Sequence, residues 1–278
     1  MTRGLAIIGG GAMGRAVAEG ALGAGVETGP LVIAEPDPGR RAVLASLGAT
    51  VVPGVAEAVA ELSRREAAPG EGAILLAVKP QVFPSVASEL GGVGGRPVLS
   101  VMAGVTTGAI RAALGGGARV VRLMPNTPAS IRQGVTGLCA GEGASDDDVA
   151  NAEQLFRAVG DVVRVPERLM DAVTAVSGSG PAYLFYLAEA LERAAADAGF
   201  DPPTASRLVR GTLAGAARML MTGADPGTLR AAVTSKGGTT EAACAVLEAR
   251  AVQGAIAEAV RAATSRGAAL SALVSSPS

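Results

Sequence analysis

A glycine-rich turn near the N-terminus constrains the fold of this chain more than any other feature of the sequence. Gly9, Gly11 and Gly14 form the pattern G-x-G-x-x-G directly after the apolar run Leu5–Ile8 and directly before an Ala-rich segment. In this pattern the first glycine allows a tight turn, the second lets a pyrophosphate approach the backbone, and the third lets helix and strand pack closely. The turn therefore predicts a dinucleotide-binding domain that starts at the first strand.

Short apolar runs alternate with Ala-rich helical segments as far as about residue 165, which is typical of a parallel sheet covered on both faces. We predict strands near residues 5–8, 31–34, 50–52, 73–78, 97–101, 119–123, 135–139 and 161–165. Helices lie between them, for example at 13–24 and 147–159, where the acidic run 146–148 supplies a cap and favourable charge.

Beyond residue 165 the strand signals stop and the chain is expected to be helical. Two apolar patterns each recur at the spacing of one buried helix face: Leu184, Leu187, Ala188, Leu191 and Ala195, and then Leu208, Leu213, Ala216 and Leu220. We therefore predict two domains, a Rossmann-type NAD(P)-binding domain with a doubly wound, mainly parallel sheet at 1–165 and an all-helical domain at 166–278. The apolar helices also suggest packing against a second subunit.

Composition excludes several classes of function. The chain has no histidine, so an imidazole base, a Ser/His/Asp relay and a His-ligated metal are all ruled out. A net charge of -1 with 2% aromatic residues argues against binding to nucleic acid or to an anionic membrane. Cys139 and Cys244 have no metal-binding or disulfide spacing, which fits a reducing cytoplasmic setting. The N-terminal apolar run is broken by glycines, so we do not interpret it as a secretory signal. We expect small molecules or further copies of the chain as partners.

The identity of the cofactor stays open between NADH and NADPH. Glu35 stands at the end of the second predicted strand, ~20 residues after Gly14, where an acidic side chain can hydrogen-bond the adenosine ribose and favours NAD. Arg40 and Arg41 follow closely and are alternative ligands for a 2′-phosphate.

The ends of the other predicted strands should face the same cofactor, because ligands bind beyond the carboxyl ends of parallel strands. A loop rigidified by two prolines follows the sixth strand and is expected to project Asn126 into that crevice. With the start of the first helix, the predicted cofactor-binding set also contains Ala12, Met13, Ala77, Val78, Lys79, Pro80, Val101, Met102 and Ala103.

Two motifs in the helical half break the helical pattern. Residues 177–181 read Ser-Gly-Ser-Gly-Pro, which is explained equally by close helix packing or by a ligand. Residues 233–241 form a small, polar turn that leads into a helix. The exposed amides of such a helix start bind a carboxylate, but the same sequence also fits a Thr-capped helix after a glycine turn.

Five motifs together resemble the pyrroline-5-carboxylate reductases in order and spacing, over nearly the whole chain. They are Gly-Gly-Gly-Ala-Met-Gly at 9–14, Ala-Val-Lys-Pro-Gln at 77–81, Met-Pro-Asn-Thr-Pro at 124–128, Ser-Gly-Ser-Gly-Pro-Ala-Tyr at 177–183 and Gly-Gly-Thr-Thr at 237–240. The resemblance implies hydride transfer from NADPH or NADH to the imine carbon of L-1-pyrroline-5-carboxylate, giving L-proline. A ring imine that arrives protonated needs no histidine acid, which agrees with the composition.

The resemblance also implies the roles of individual residues. Thr240 would be catalytic, with its hydroxyl facing the ring nitrogen. The residues implied to bind substrate are Glu167, Ser235, Gly237, Gly238, Thr239 and Thr240. Members of this family form dimers and larger rings through the helical domain, and each active site draws on both subunits.

Two positions depart from the family pattern. Lys236 stands where a proline usually precedes the two glycines, and Val55 stands where an asparagine often contacts the adenosine side of the cofactor. Lys236 leaves open an alternative, a β-hydroxyacid dehydrogenase that uses this lysine as its acid and base. That family, however, has an asparagine four residues after its lysine, where this chain has Thr240. A non-catalytic NAD(P) sensor is a further alternative.

Overall fold

The first part of the chain folds around one large sheet. The computed structural model describes residues 4–25 and 29–275, with side chains described as far as residue 271. The strands are β1 Leu5–Ile8, β2 Leu31–Ala34, β3 Thr50–Val52, β4 Ala73–Leu76, β5 Pro97–Ser100, β6 Arg119–Met124, β7 Gly134–Ala140 and β8 Gly160–Arg164. Their order is β3-β2-β1-β4-β5-β6-β7-β8, and every neighbouring pair is parallel except β6 with β7.

Helices cover both faces of this sheet. They are α1 Ala12–Gly23, α2 Pro38–Ala45, α3 Val55–Arg65, α4 Phe83–Leu90, α5 Thr107–Ala113 and α6 Asp146–Arg157. One apolar core joins the sheet to α1 and α6, and the other joins it to α3, α4 and α5. The four residues of β1 are fully buried and alternate between the two cores, as the central strand of a doubly wound sheet requires. The predicted fold class is therefore confirmed.

The cap of α6 differs from the sequence prediction. The acidic run 146–148 lies inside the first helical turn, and the cap is Ser145, whose hydroxyl accepts the amide of Asp148 at 3.1 Å. Asp148 in turn accepts the amide of Ser145 at 2.9 Å, which completes a reciprocal capping box. The prediction was wrong because the aspartates have helical backbone geometry and only Ser145 is extended.

After β8, the described residues form helical segments only. They are a 3₁₀ turn at Glu167–Leu169, α7 Met170–Val173, a π-helical turn at Thr174–Gly178, α8 Gly180–Asp197, α9 Pro202–Leu220, α10 Pro226–Ala232, α11 Thr239–Ala249 and α12 Val252–Ser275. The chain forms two compact units: the second is Gly180–Arg261, and the first contains the sheet together with the end of α12 from Ala262. The division into domains at 1–165 and 166–278 stays a prediction. Its ends, 1–3 and 276–278, lie outside the described residues.

The predicted buried faces of α8 and α9 are exposed within the single chain. Leu184, Leu187 and Leu191 are 58%, 45% and 39% exposed, and Leu208 is 50% exposed. The periodicity identified the apolar face of each helix, but no element of the described chain covers these leucines. No helix of the described residues has both the length and the apolar character needed to cross a membrane.

Candidate active site

The turn between β1 and α1 requires glycine for steric reasons at two positions. Gly9 has a φ of 107°, and a Cβ there would lie 2.6 Å from the carbonyl oxygen of Ala77. A Cβ on Gly14 would lie 2.0 Å from the carbonyl oxygen of Gly9, so this close packing of helix on turn excludes any side chain. Gly11 differs, because a Cβ there would meet nothing within 4 Å. The space beside Gly11 is therefore open to a ligand.

The start of α1 presents backbone amides without a side-chain cap. Gly11 is the N-cap residue and no side chain bonds to the first turn, which contains the predicted Ala12 and Met13. Amides at a helix start have no partner inside the helix, and the helix dipole makes this end favourable for an anion. This arrangement fits the pyrophosphate of a dinucleotide.

An apolar cavity of about 180 Å³ lies at the carboxyl ends of β1, β2 and β4. Ligands of doubly wound folds bind at this edge of the sheet, and apolar walls suit an adenine ring. The departure Val55 is one of these walls, with 8% of its surface exposed. Sequence reasoning missed the neighbouring Pro53 and Gly54, although a Pro-Gly pair after a strand signals a loop at this edge. The lining residues are Ile8, Gly9, Ala34, Pro36, Pro53, Gly54, Val55, Val78, Val82, Ser85, Val86 and Glu89.

Glu35 is buried at the end of β2 and its carboxylate is bonded to the protein. Only 2% of the residue is exposed. Its two carboxylate oxygens accept the amide of Gly10 at 3.1 Å and the amide of Asp37 at 2.9 Å. Arg40 forms an ion pair with the same carboxylate at 3.0 Å. Glu35 thus links the glycine-rich turn at residues 9–14, the fingerprint turn, to the start of α2.

The segment after β4 lies beside the end of β1, where the glycine turn begins, and the segment after β5 lies beside the end of β4. The amide of Ala77 donates to the carbonyl of Ile8 at 2.8 Å, and the amide of Val101 donates to the carbonyl of Leu76 at 3.1 Å. Met102 is 1% exposed and its side chain packs in the core, so its contribution to a ligand would come from its backbone. Lys79, Pro80 and Ala103 complete these segments, and Lys79 and Ala103 are exposed.

Asn126 joins the loop after β6 to the π-helical turn. Its side-chain amide nitrogen lies 3.2 Å from the carbonyl oxygen of Ser177 and 3.3 Å from its hydroxyl. Its side-chain oxygen accepts the amide of Val135 at 2.9 Å. The residue is 9% exposed, and these contacts hold its side chain between the π-helical turn and β7. Its projection into the cofactor crevice stays a prediction. A π-turn often marks a functional position in a helix.

Glu167 also has partners within the first unit. Its two oxygens accept the amide and the hydroxyl of Thr107, each at 2.7 Å. Arg122, a buried residue of β6, lies 3.6 Å from the same carboxylate and 3.7 Å from that of Asp171. The predicted role of Glu167 in substrate binding stays a prediction.

The Gly-Gly-Thr-Thr turn in the second unit has its own steric requirements. Gly237 has a φ of 71°, in the left-handed region that favours glycine. A Cβ on Gly238 would lie 2.4 Å from the hydroxyl oxygen of Ser235 and 3.0 Å from its carbonyl oxygen, so a side chain there would have to displace the Ser235 hydroxyl. The amide of Gly238 donates to the carbonyl of Ser235 at 3.0 Å and is thereby occupied within the turn.

The start of α11 resembles that of α1 in having no side-chain cap. Gly238 is the N-cap, and Thr239 and Thr240 supply the first two helical amides. Glu241, which sequence reasoning did not single out, accepts the amide of Gly237 at 2.7 Å. An acidic residue three positions after an N-cap is the signal that identifies such a contact. The amide of Gly237 is therefore occupied within the turn, while the amides of Thr239 and Thr240 have no partner inside the helix.

Two family models match these two parts of the chain. Residues 4–104 match a model of NADP oxidoreductases dependent on coenzyme F420, and residues 167–270 match the model of pyrroline-5-carboxylate reductase dimerisation. The pyrroline-5-carboxylate reductase of Mycobacterium tuberculosis is 38% identical over 288 residues, covering 94% of this chain and 95% of the relative. The chain belongs to the pyrroline-5-carboxylate reductase family.

Solved structures agree with this assignment over the whole length. The pyrroline-5-carboxylate reductase of Coxiella burnetii superposes with a TM-score of 0.87 at 36% identity, covering 97% of this chain and 99% of that one. The pyrroline carboxylate reductase of Plasmodium falciparum, solved with NADP bound, gives a TM-score of 0.82 at 25% identity, covering 96% and 98%.

Membership in the family answers the question that Lys236 left open. The chain is an NAD(P)H-dependent oxidoreductase that acts on an imine, and it is not a β-hydroxyacid dehydrogenase with Lys236 as its acid and base. The contacts of the described residues fit the nicotinamide dinucleotide that such an enzyme uses, because an uncapped helix start and an apolar cavity lie together at one edge of the sheet.

Proposed function

We propose that this chain catalyses the last step of proline biosynthesis, the reduction of L-1-pyrroline-5-carboxylate to L-proline by NADPH or NADH. The observation that carries the proposal is the start of α11, where a glycine turn leaves the helix without a side-chain cap and the first two helical residues are Thr239 and the hydroxyl-bearing Thr240. A carboxylate and a ring nitrogen on one small substrate match these two kinds of group.

Binding of the cofactor is assigned to the first unit. The amides at the start of α1 bind the pyrophosphate, and Gly11 leaves the space that it needs. The apolar cavity bounded by Val55 and Val78 holds the adenine. When it is bound, the reduced nicotinamide supplies a hydride. The backbone of Ala77, Val78, Lys79, Pro80, Val101, Met102 and Ala103, together with Asn126, completes the proposed set of contacts.

Binding of the substrate carboxylate is assigned to the turn at 235–240. The amides of Thr239 and Thr240 donate to the carboxylate, and the positive end of the α11 dipole favours its charge. Glu241 contributes indirectly by holding Gly237 in the left-handed conformation. No arginine is needed, because an uncapped helix start binds an anion through backbone groups alone.

The hydroxyl of Thr240 is assigned to the ring nitrogen. A hydride adds to the imine carbon of the protonated ring, the carbon–nitrogen π bond breaks, and its electron pair becomes the lone pair of the amine nitrogen. No further proton is required in this step. The N–H of the protonated ring donates a hydrogen bond to the hydroxyl oxygen of Thr240, which orients the ring for transfer. This explains how a chain without histidine performs the reaction.

We further propose a homo-oligomer, either a dimer or a ring of dimers, located in the cytoplasm and independent of nucleic acid and membranes. The match of residues 167–270 to a dimerisation model and the exposed apolar faces of α8 and α9 support self-association. A second copy would cover Leu184, Leu187 and Leu208, which the single chain leaves exposed.

Substitution of Thr240 tests the assignment of its hydroxyl. We expect Thr240→Ala to lower kcat by about 10-fold or more and to leave the Kd of the cofactor unchanged, as is typical of a group that acts in the transition state. Thr240→Ser keeps the hydroxyl and should restore most of the turnover. Thr239→Ala is the matched control, because Thr239 is assigned a role through its amide alone. An equal loss of cofactor affinity in Thr240→Ala would contradict the assignment.

A further inference from the structure

Two consecutive arginines near the end of β2 have different partners. The guanidinium of Arg41 donates to the carbonyl oxygens of Glu35 at 3.1 Å and of Pro36 at 2.6 Å. The guanidinium of Arg40 instead pairs with the Glu35 carboxylate at 3.0 Å, and its side chain is 59% exposed. Arg41 therefore supports the backbone of the loop, whereas Arg40 is anchored at one point and exposed at the rest of its guanidinium.

Arg40 is also part of the wall of a second cavity. This cavity measures about 240 Å³ and lies between the fingerprint turn and α2. It is lined by Gly10, Gly11, Ala12 and Arg15 on one side and by Arg40, Val43 and Leu44 of α2 on the other. Arg15 is paired with Glu19 at 2.7 Å and Arg40 with Glu35 at 3.0 Å, and the Arg40 side chain is the more exposed of the two, at 59% against 49%. The walls combine cationic side chains with the positive end of the α1 dipole, which is favourable for a phosphate.

Glu35 is poorly placed to receive the ribose of NADH. Each of its carboxylate oxygens already accepts a backbone amide, and Arg40 pairs with one of these oxygens at 3.0 Å. A ribose 2′-hydroxyl would have to share these oxygens with the two amides and Arg40, on a residue that is only 2% exposed. A 2′-phosphate would instead meet an arginine that has five N–H donors and uses only part of them on Glu35.

We infer that Arg40 is the residue that determines cofactor specificity, selecting NADPH by binding its 2′-phosphate, with Glu35 as the buried anchor that positions the guanidinium. The inference rests on the cofactor class of the proposed function and specifies which of the two cofactors is preferred. It reverses the preference for NAD that the position of Glu35 suggests from sequence alone.

Equilibrium binding separates this inference from the catalytic proposal. Calorimetry would measure the affinity of the oligomeric protein for NADPH, NADH, adenosine 2′,5′-bisphosphate and adenosine 5′-monophosphate, none of which requires turnover of an imine. We expect Arg40→Ala to weaken NADPH and the bisphosphate by about 10-fold or more, the loss of one charge-assisted contact to phosphate. NADH and the monophosphate should change by less than about 3-fold. Arg40→Lys should recover part of the loss, because it keeps the charge without the planar fork.

Arg41→Ala is the matched control, since it removes an adjacent arginine that bonds only to backbone carbonyls. It should change the affinities for NADPH and NADH by the same factor. Thermal unfolding of each variant would show whether the fold is retained. The inference is overturned if Arg40→Ala leaves NADPH binding unchanged, or if it weakens NADPH and NADH equally while the melting temperature is maintained.

Discussion

The carboxylate of Glu167 accepts two hydrogen bonds from Thr107, one from its amide and one from its hydroxyl, each at 2.7 Å. Thr107 is the first residue of α5, so an acidic side chain from 60 residues further along the chain binds a helix start. The same carboxylate lies 3.6 Å from the buried Arg122. Glu167 therefore ties the first turn after the sheet to the interior of the first unit.

Replacement of Glu167 by glutamine should destabilise the protein. The neutral amide leaves Arg122 with Asp171 as its nearest carboxylate, and we expect a loss of about 2 kcal/mol in the free energy of unfolding. The loss is smaller than for a fully buried pair because the Glu167 side chain is 32% exposed. Urea titration measures it, with the exposed Glu189→Gln as a control expected to change little.

The same variant tests the assignment of Glu167 to the substrate site. A direct contact with the imine substrate would raise KM in Glu167→Gln, whereas a purely structural contact would leave KM unchanged in protein that remains folded. A stability equal to that of the wild type would contradict the network described for Arg122.

Two glycines of the fingerprint should respond differently to alanine. Gly11→Ala places its methyl group in open space, so the melting temperature should stay within a few degrees while the affinity for NADPH falls by about 10-fold or more. Gly14→Ala places a methyl group 2.0 Å from the carbonyl oxygen of Gly9 and should lower the melting temperature itself. Calorimetric binding and thermal unfolding measure the two effects. Unchanged NADPH binding in Gly11→Ala would contradict the placement of the pyrophosphate.

Features that depend on local sequence signals could be predicted, and features that depend on contacts between residues distant in sequence could not. Strands β1 and β2 were predictable because apolar runs and glycine turns are local signals. The partners of Glu35 and Asn126 were not predictable, since they come from residues brought together only by folding.

Helix periodicity has a similar limit. It identified the apolar face of α8 correctly, but the exposure of Leu184 shows that periodicity does not reveal what covers a face. The prediction of the α6 cap was wrong for a local reason. Ser145 and the aspartates that follow it are all good cap residues, and the backbone conformation decides between them.

Cys139 should react slowly with thiol reagents at neutral pH. Burial, and then the negative charge of Glu167, raise the pKa of its thiol to about 11. Because the thiolate is the reactive form, its population is small below that pH and grows as the pH rises towards 11. In a Cys244→Ser background we expect labelling at pH 8 to be roughly 200-fold slower in the folded protein than in urea, where the pKa returns to about 8.5. Equal rates in the two states would contradict the burial of Cys139.

The most direct test of the account is the oxidation of reduced nicotinamide by the purified protein, followed by absorbance with L-1-pyrroline-5-carboxylate as substrate and with NADPH and NADH in parallel. The account predicts rapid oxidation that depends on the imine, yields proline and proceeds at a lower KM for NADPH than for NADH. Failure to oxidise either cofactor, in protein shown by calorimetry to bind NADPH, would contradict the assignment as a reductase and leave a nucleotide-binding protein without this activity.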